Sequence, residues 1–230
     1  MSAPHHDFHQ GLRIGRIGLA LAVLTILFGF AFGGAFGAFE APMKADLAAR
    51  AQAVSATVYG GDAAKIRSVV DKSWSYYKRA HLHGGAIGAS ALGMIVLLAA
   101  LRRPTEMLRR GTALALGLGA LGYSLFWMLA ARRAPGLGST DAAKESLSWL
   151  AVPSAGLLMV GTVSVLVLLL IDVFAPPAAP LNGGGPSLIG VRGDVRDRRG
   201  GVGGAARPRG RPGGGSRERV FRYRSVEKTP

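Results

Sequence analysis

The sequence predicts an all-α integral membrane protein: a four-transmembrane-helix bundle with an extramembrane helical hairpin between helices 1 and 2 and a disordered basic C-terminal tail. Three observations lead there. The chain of 230 residues is 49% hydrophobic and only 18% charged, with a mean hydropathy of +0.29, which is more apolar than a soluble domain of this length would bury. Charged side chains are missing from four long runs. The C-terminal segment, by contrast, is dominated by Gly, Pro and Arg.

The uncharged runs set the spans. There are 23 such residues between Arg16 and Glu40, 18 between His83 and Arg102, 21 between Arg110 and Arg132, and 26 between Glu145 and Asp172. At about 1.5 Å per residue, each run crosses or nearly crosses a hydrocarbon layer of roughly 30 Å as a helix. The expected spans are therefore 17–39, 82–101, 111–131 and 148–172, inside a membrane domain of 12–174 that follows an N-terminal tail, 1–11. Arg13 and Arg16 before an apolar run also suit a signal peptide. The run exceeds the usual length of about 7 to 15 residues for a signal core, and its small-x-small site at Ala35 to Gly37 is weak, so retention as a helix is expected.

Small residues recur at helical spacing inside the spans: Gly29, Gly33 and Gly37; Gly84 and Gly88; Gly85, Ala89 and Gly93; Ala115 and Gly119; Ala151 and Ala155. Such rows let backbones approach closely, which favours helix association in lipid. They are equally compatible with contacts inside one bundle and with a homo-oligomer or other membrane subunits.

Residues 42–80 read as a helical hairpin. After Pro42, the apolar Met43, Leu47, Val54 and Val58 fall near one face; Gly60 and Gly61 supply a break; Asp62 caps a second helix carrying Ile66, Val69, Val70, Trp74 and Tyr77. The two arms continue the first and second spans. On a smaller scale, Ser139, Thr140 or Asp141 caps a short helix leading into the fourth span, where Pro153 marks a bend.

Residues 175–230 hold 12 Lys and Arg against 4 Asp and Glu, with little apolar side chain to bury. Disorder is expected of that composition. The tail suits anionic lipid, RNA or an acidic protein as partner, and Val220, Phe221 and Tyr223 suggest a short docking segment.

For orientation the charges conflict: without the tail, the side of the termini holds 6 Lys and Arg against 10 on the side of the hairpin, but RRPTEMLRR at 102–110 packs four arginines into nine residues, whereas the bases of the hairpin are offset by Glu40, Asp46, Asp62 and Asp71. Positive charge concentrates on the cytoplasmic side. Both termini are therefore expected in the cytoplasm of a bacterium, with the chain in the inner (cell) membrane. On that assignment Trp74, Tyr76, Tyr77, Trp127 and Trp149 form an aromatic belt at the outer face.

The sequence YYKRAHLHGGAIG at 76–88 carries the candidate site. Residues two apart on a helix point about 200° apart, so His81 and His83 share one ion only if the chain unwinds before Gly84; an extended His-x-His would then chelate copper or zinc. Alternatively a single histidine is an axial ligand of b-type haem, with Gly84, Gly85 and Gly88 leaving room for the macrocycle, Tyr77 and Trp74 as walls and Arg79 pairing a propionate. Its opposite ligand would come from another subunit, a second copy, Met43 or Met128, because His5, His6 and His9 lie across the membrane in a four-span topology. Against both stands simple interfacial anchoring of two polar side chains.

Absences narrow the function. Cysteine is missing, so disulfides, thiolate metal sites and covalently attached haem are excluded in this chain. No ionisable residue falls mid-span, and no GxSxG, HExxH or GxxxxGK[ST] motif occurs. An enzyme is not expected. Two functional readings follow: a structural or accessory membrane protein that meets partners through hairpin and tail, or a membrane subunit of an electron-transfer complex holding haem, quinone or copper at His81 or His83. Four crossings predict that reporter fusions at the N-terminus, within 102–105 and in the tail report one side, and fusions at Gly60 and Gly138 the other; an odd number of crossings contradicts the topology.

Overall fold

The computed structural model describes residues 8–174. Residues 1–7 and 175–230, which include His5, His6 and the basic tail, lie outside the described residues. Seven helices follow in order: α1 (Phe8–Ile14), α2 (Arg16–Ala53), α3 (Ser55–Val58), α4 (Ala63–Ala100), α5 (Glu106–Leu137), α6 (Thr140–Glu145) and α7 (Ser148–Phe174). Four of them, α2, α4, α5 and α7, are long and apolar enough to cross a membrane. Residues 8–11, expected in a tail, already belong to α1.

Helix α2 carries the first span into the first arm of the hairpin, which a break at Val54 divides from the short α3, and α4 carries the second arm into the second span without interruption. Helix α2 passes from apolar to amphipathic sequence without ending, but Phe39 departs from helical geometry (φ −132°, ψ 23°). The cause is Pro42, whose ring crowds the carbonyl four residues back and which donates no ladder bond. At the tip, Gly60 and Gly61 take positive φ (61° and 78°), a region that glycine enters at little cost. Asp62 then caps α4, its Oδ1 accepting from the N–H groups of Ala64 (2.9 Å) and Lys65 (3.0 Å). Ser139 caps α6 in the same way. Helix α7 runs through Pro153 as one helix, giving up there the ladder bond to the Trp149 carbonyl.

Helix α5 is central. It packs on α2, α4, α6 and α7, whereas α7 leans almost wholly on α5. The opposite face of α7 leaves Trp149, Val152, Met159 and Phe174 more than 60% exposed, as a lipid-facing helix would.

The core is stacked in three tiers. The first is aliphatic, built from Ala22, Ile95, Leu98, Ala113, Leu116 and Val165. The second is aromatic, with Tyr76, Tyr77, Phe126 and Trp127. The third joins the hairpin to the end of α5 and to α6 through Ala51, Tyr59, Val69, Ala134 and Ala143. Two close approaches hold α2 in place. Gly18 lies so near the carbonyl of Ala113 that no side chain fits between, and a Cβ on Gly29 would stand 2.5 Å from the backbone N of Gly85. Dispersion between such closely matched backbones is the principal attraction available to helices in lipid.

The turn between α4 and α5 is tied by a buried arginine. Arg109 is 1% exposed. Its Nη1 donates to the carbonyls of Leu98 and Ala99, its Nη2 to Leu101 and its Nε to Pro104. One guanidinium thus satisfies carbonyls that the end of α4 leaves without ladder partners. Asp172, near the end of α7, accepts from the N–H groups of Arg102 and Arg103, both at 3.0 Å, so three helices meet at this knot. Of the four arginines in the segment, Arg109 faces inward and Arg102, Arg103 and Arg110 are exposed. Replacing Arg109 by Ala or Met strands buried carbonyls and is expected to cost roughly 3 kcal/mol or more, with Arg109→Lys recovering only part because an ammonium cannot span the same fork; denaturation in detergent measures both.

Candidate functional site

The His81–His83 segment sits inside the unbroken helix α4. The unwinding that joint chelation would need does not occur here, and the two rings face different neighbours. His81 turns to α2: its Nδ1 lies 2.7 Å from the Gly29 carbonyl oxygen and its ring meets Phe36 edge-on at 5.7 Å. His83 turns to α5, with ring centroids 5.5 Å from Tyr123 and 6.1 Å from Trp127. The divergence is the one that a helical twist of about 200° over two residues dictates.

The Gly29 carbonyl can only accept, so His81 Nδ1 is the donor of this bond, and in the tautomer with the proton there the lone pair is on Nε2. Gly33 makes room for the ring: a Cβ there would fall 2.5 Å from His81 Cε1. The small-residue row of α2 therefore has two tasks, with Gly29 admitting α4 and Gly33 seating the imidazole. The space left by Gly84 and Gly88 is occupied by α2 itself, through Gly29, Ile26 and Thr25, while nothing lies within 4 Å of a Cβ built on Gly85.

The other candidate residues divide between the same two sides. Toward α2, Trp74 packs on Phe36 at 5.1 Å and Tyr77 on Phe32 at 5.4 Å, and the Lys44 ammonium stands 5.0 Å from the Trp74 ring centre. Toward α5, the Arg79 guanidinium lies 4.9 Å from the Trp127 ring and 5.5 Å from Tyr76, a cation–π arrangement. His81, Trp74 and Tyr77 thus form one cluster, and His83 and Arg79 another. Met43 and Met128 line a cavity of about 420 Å³ with Tyr77, and neither histidine borders it. Among the described residues no group of three or more His, Cys, Asp or Glu side chains converges.

The aromatic belt needs correction. Tyr76, Tyr77 and Trp127 are less than 10% exposed and Trp74 is half-buried; of the five residues only Trp149 points outward, at 67%. The others interlock with Phe28, Phe32, Phe36, Tyr123 and Phe126 as an internal layer. Edge-to-face contacts of this kind add specificity to burial. The spacing of Phe28, Phe32 and Phe36, one helical turn each, was the available signal. Trp127 Nε1 is buried and has no acceptor among the described residues.

Above this layer, the Tyr59 hydroxyl at the hairpin tip donates to the Pro135 carbonyl at 2.7 Å, and burial raises its pKa above the ordinary phenol value. Helix α5 ends at Gly138, whose φ of 65° closes the helix in a left-handed cap directly against Val58. On exposed α6, the hydrogen bond from Lys144 holds the Asp141 carboxyl below its usual range.

Comparison with protein families, with characterised proteins and with solved structures gave no match for this chain. A double-mutant cycle tests the seat of His81. Gly33→Ala is expected to cost about 1–3 kcal/mol by pushing the ring off its carbonyl, and far less in a His81→Ala background; a coupling below about 0.5 kcal/mol in thermal denaturation would show that the contact is not formed.

Proposed function

We propose that the chain is a non-enzymatic multi-pass membrane protein acting as a structural or accessory subunit. It meets an extracytoplasmic partner through the 42–80 hairpin, and lipid or a cytoplasmic partner through the basic segment 175–230. The proposed setting is a bacterial inner membrane with both termini in the cytoplasm. The density of arginine in 102–110 supports that orientation.

The construction of the hairpin is the observation that carries the reading. Its turn is made by two positive-φ glycines, its second arm is capped by Asp62, its tip is tied to α5 by Tyr59, and its inner face buries Leu47, Ala51 and Val69. The outer face leaves Lys65, Arg67, Asp71, Lys72 and Lys78 exposed. A projection held this firmly offers a surface whose ordering cost is met during folding, so that association need not meet it again.

One observation favours a second reading, a subunit of an electron-transfer complex that holds b-type haem, quinone or copper. The bond from His81 Nδ1 to a backbone carbonyl is the kind of outer contact that fixes a ligating imidazole with Nε2 free. The two readings separate experimentally. The accessory reading expects colourless, metal-free protein and, from a photo-crosslinker at Arg67 or Lys72 in native membranes, one discrete adduct that disappears on charge reversal of the hairpin surface. A Soret band or stoichiometric copper lost in His81→Ala would replace it with the second.

A further inference from the structure

We propose that the groove between α2 and α5, at the level where α2 breaks, holds an anionic phospholipid with its phosphate on Arg132. This goes beyond the accessory-subunit reading and does not depend on which side of the membrane the hairpin faces. Two cavities make up the groove. The first, about 420 Å³, has a mainly apolar lining that includes Phe32, Phe39, Met43 and Met128, with Asp46 and Arg132 as its charged members. The second, about 680 Å³, is lined by Arg50, Arg132 and Arg133 together with Leu129 and Leu137. Arg132 borders both.

The three arginines are not equivalent. Arg50 is committed to Asp46, with Nε–Oδ2 2.8 Å and Nη2–Oδ1 3.1 Å. Arg133 donates to Ser146 Oγ at 3.2 Å. Arg132 is exposed and makes no hydrogen bond or salt bridge with any other described residue. Asp46 is bonded to Arg50 and attracts Arg132 as well, but one carboxylate faces Arg50, Arg132 and Arg133, so the groove keeps a surplus of positive charge, with the donors of Arg132 making no hydrogen bond to a described residue.

Position selects the occupant. Arg132 is the first charged residue after the uncharged run of 21 in α5, which puts it at headgroup depth if that run spans the hydrocarbon. On the hydrocarbon side of it the groove opens beside Phe32, Met128 and Phe39, the last 60% exposed. A phosphodiester presents two oxygens to the planar fork of an arginine, and acyl chains cover the apolar lining. A soluble anion answers only the first requirement, and a neutral lipid only the second. A choline headgroup would bring a cation toward Arg50 and Arg133, so an anionic lipid such as phosphatidylglycerol is preferred.

The test reconstitutes the full chain in phosphatidylcholine vesicles doped with a photoreactive phosphatidylglycerol and maps the adducts by peptide mass. Label is expected on segments 39–43 and 128–137. It should be competed by unlabelled phosphatidylglycerol but not by added phosphatidylcholine, inorganic phosphate or glycerophosphoglycerol. It should fall about tenfold in Arg132→Ala, the loss expected for one charge-assisted contact, less in Arg132→Lys, and not at all in Arg102→Ala. Label confined to 175–230, equal competition by phosphatidylcholine, displacement by phosphate alone, or undiminished label in Arg132→Ala would overturn the proposal. The competition pattern of the unmodified chain decides the matter even if a variant is unstable.

Discussion

Backbone contact between α2 and its two neighbours sets the positions of everything else. Gly18 admits α5 at Ala113, and Gly29 admits α4 at Gly84 and Gly85. Between helices surrounded by lipid there is no gain from excluding water, so the depth of these approaches and the dispersion they allow decide which faces meet. Once Gly29 touches α4, its carbonyl lies within reach of His81, and the phenylalanines one and two turns further along α2 fall against Tyr77 and Trp74. That approach sets the seat of the imidazole and the α2 side of the aromatic layer.

Much of this architecture is legible in the sequence, for identifiable reasons. A charge in hydrocarbon is costly, so charge-free runs mark spans directly, and the four runs correspond to four long apolar helices. Local backbone chemistry is equally plain: Asp62 and Ser139 cap helices, and Gly60 and Gly61 turn the chain, because those preferences act within a few residues. The hairpin arms show an apolar stripe because their other face is polar.

What stays hidden is which side of an apolar helix faces which neighbour. Helix α2 is apolar all round its first half, so residue type does not set Phe28, Phe32 and Phe36 apart from Phe30, which is 67% exposed; only their one-turn spacing does. Trp127, Tyr76 and Tyr77 suit a headgroup layer and a protein interior equally by type; only the packing of α5 against α4 places them inside. Arg109 is the clearest case. In a run of arginines it is indistinguishable from Arg110, and its burial follows from the α4–α5 turn folding its carbonyls round one guanidinium. For the same reason His81, Trp74, Tyr77, His83 and Arg79 read as one site in the sequence and fall into two clusters in the fold.

The interruption at Phe39 gives the three long helices that reach the hairpin level unequal mechanical roles. Helix α4 holds no proline and α5 meets one only in its last turn, at Pro135, whereas α2 lacks the ladder bond that Pro42 cannot donate and leaves helical geometry at Phe39, where its charged half begins. The hairpin tip is tied through Tyr59 to the last turn of α5 at Pro135, whereas the break at Phe39 leaves α2 the place where bending costs fewest ladder bonds. Bending of α2 at that break would change the width of the groove that Arg132 overlooks.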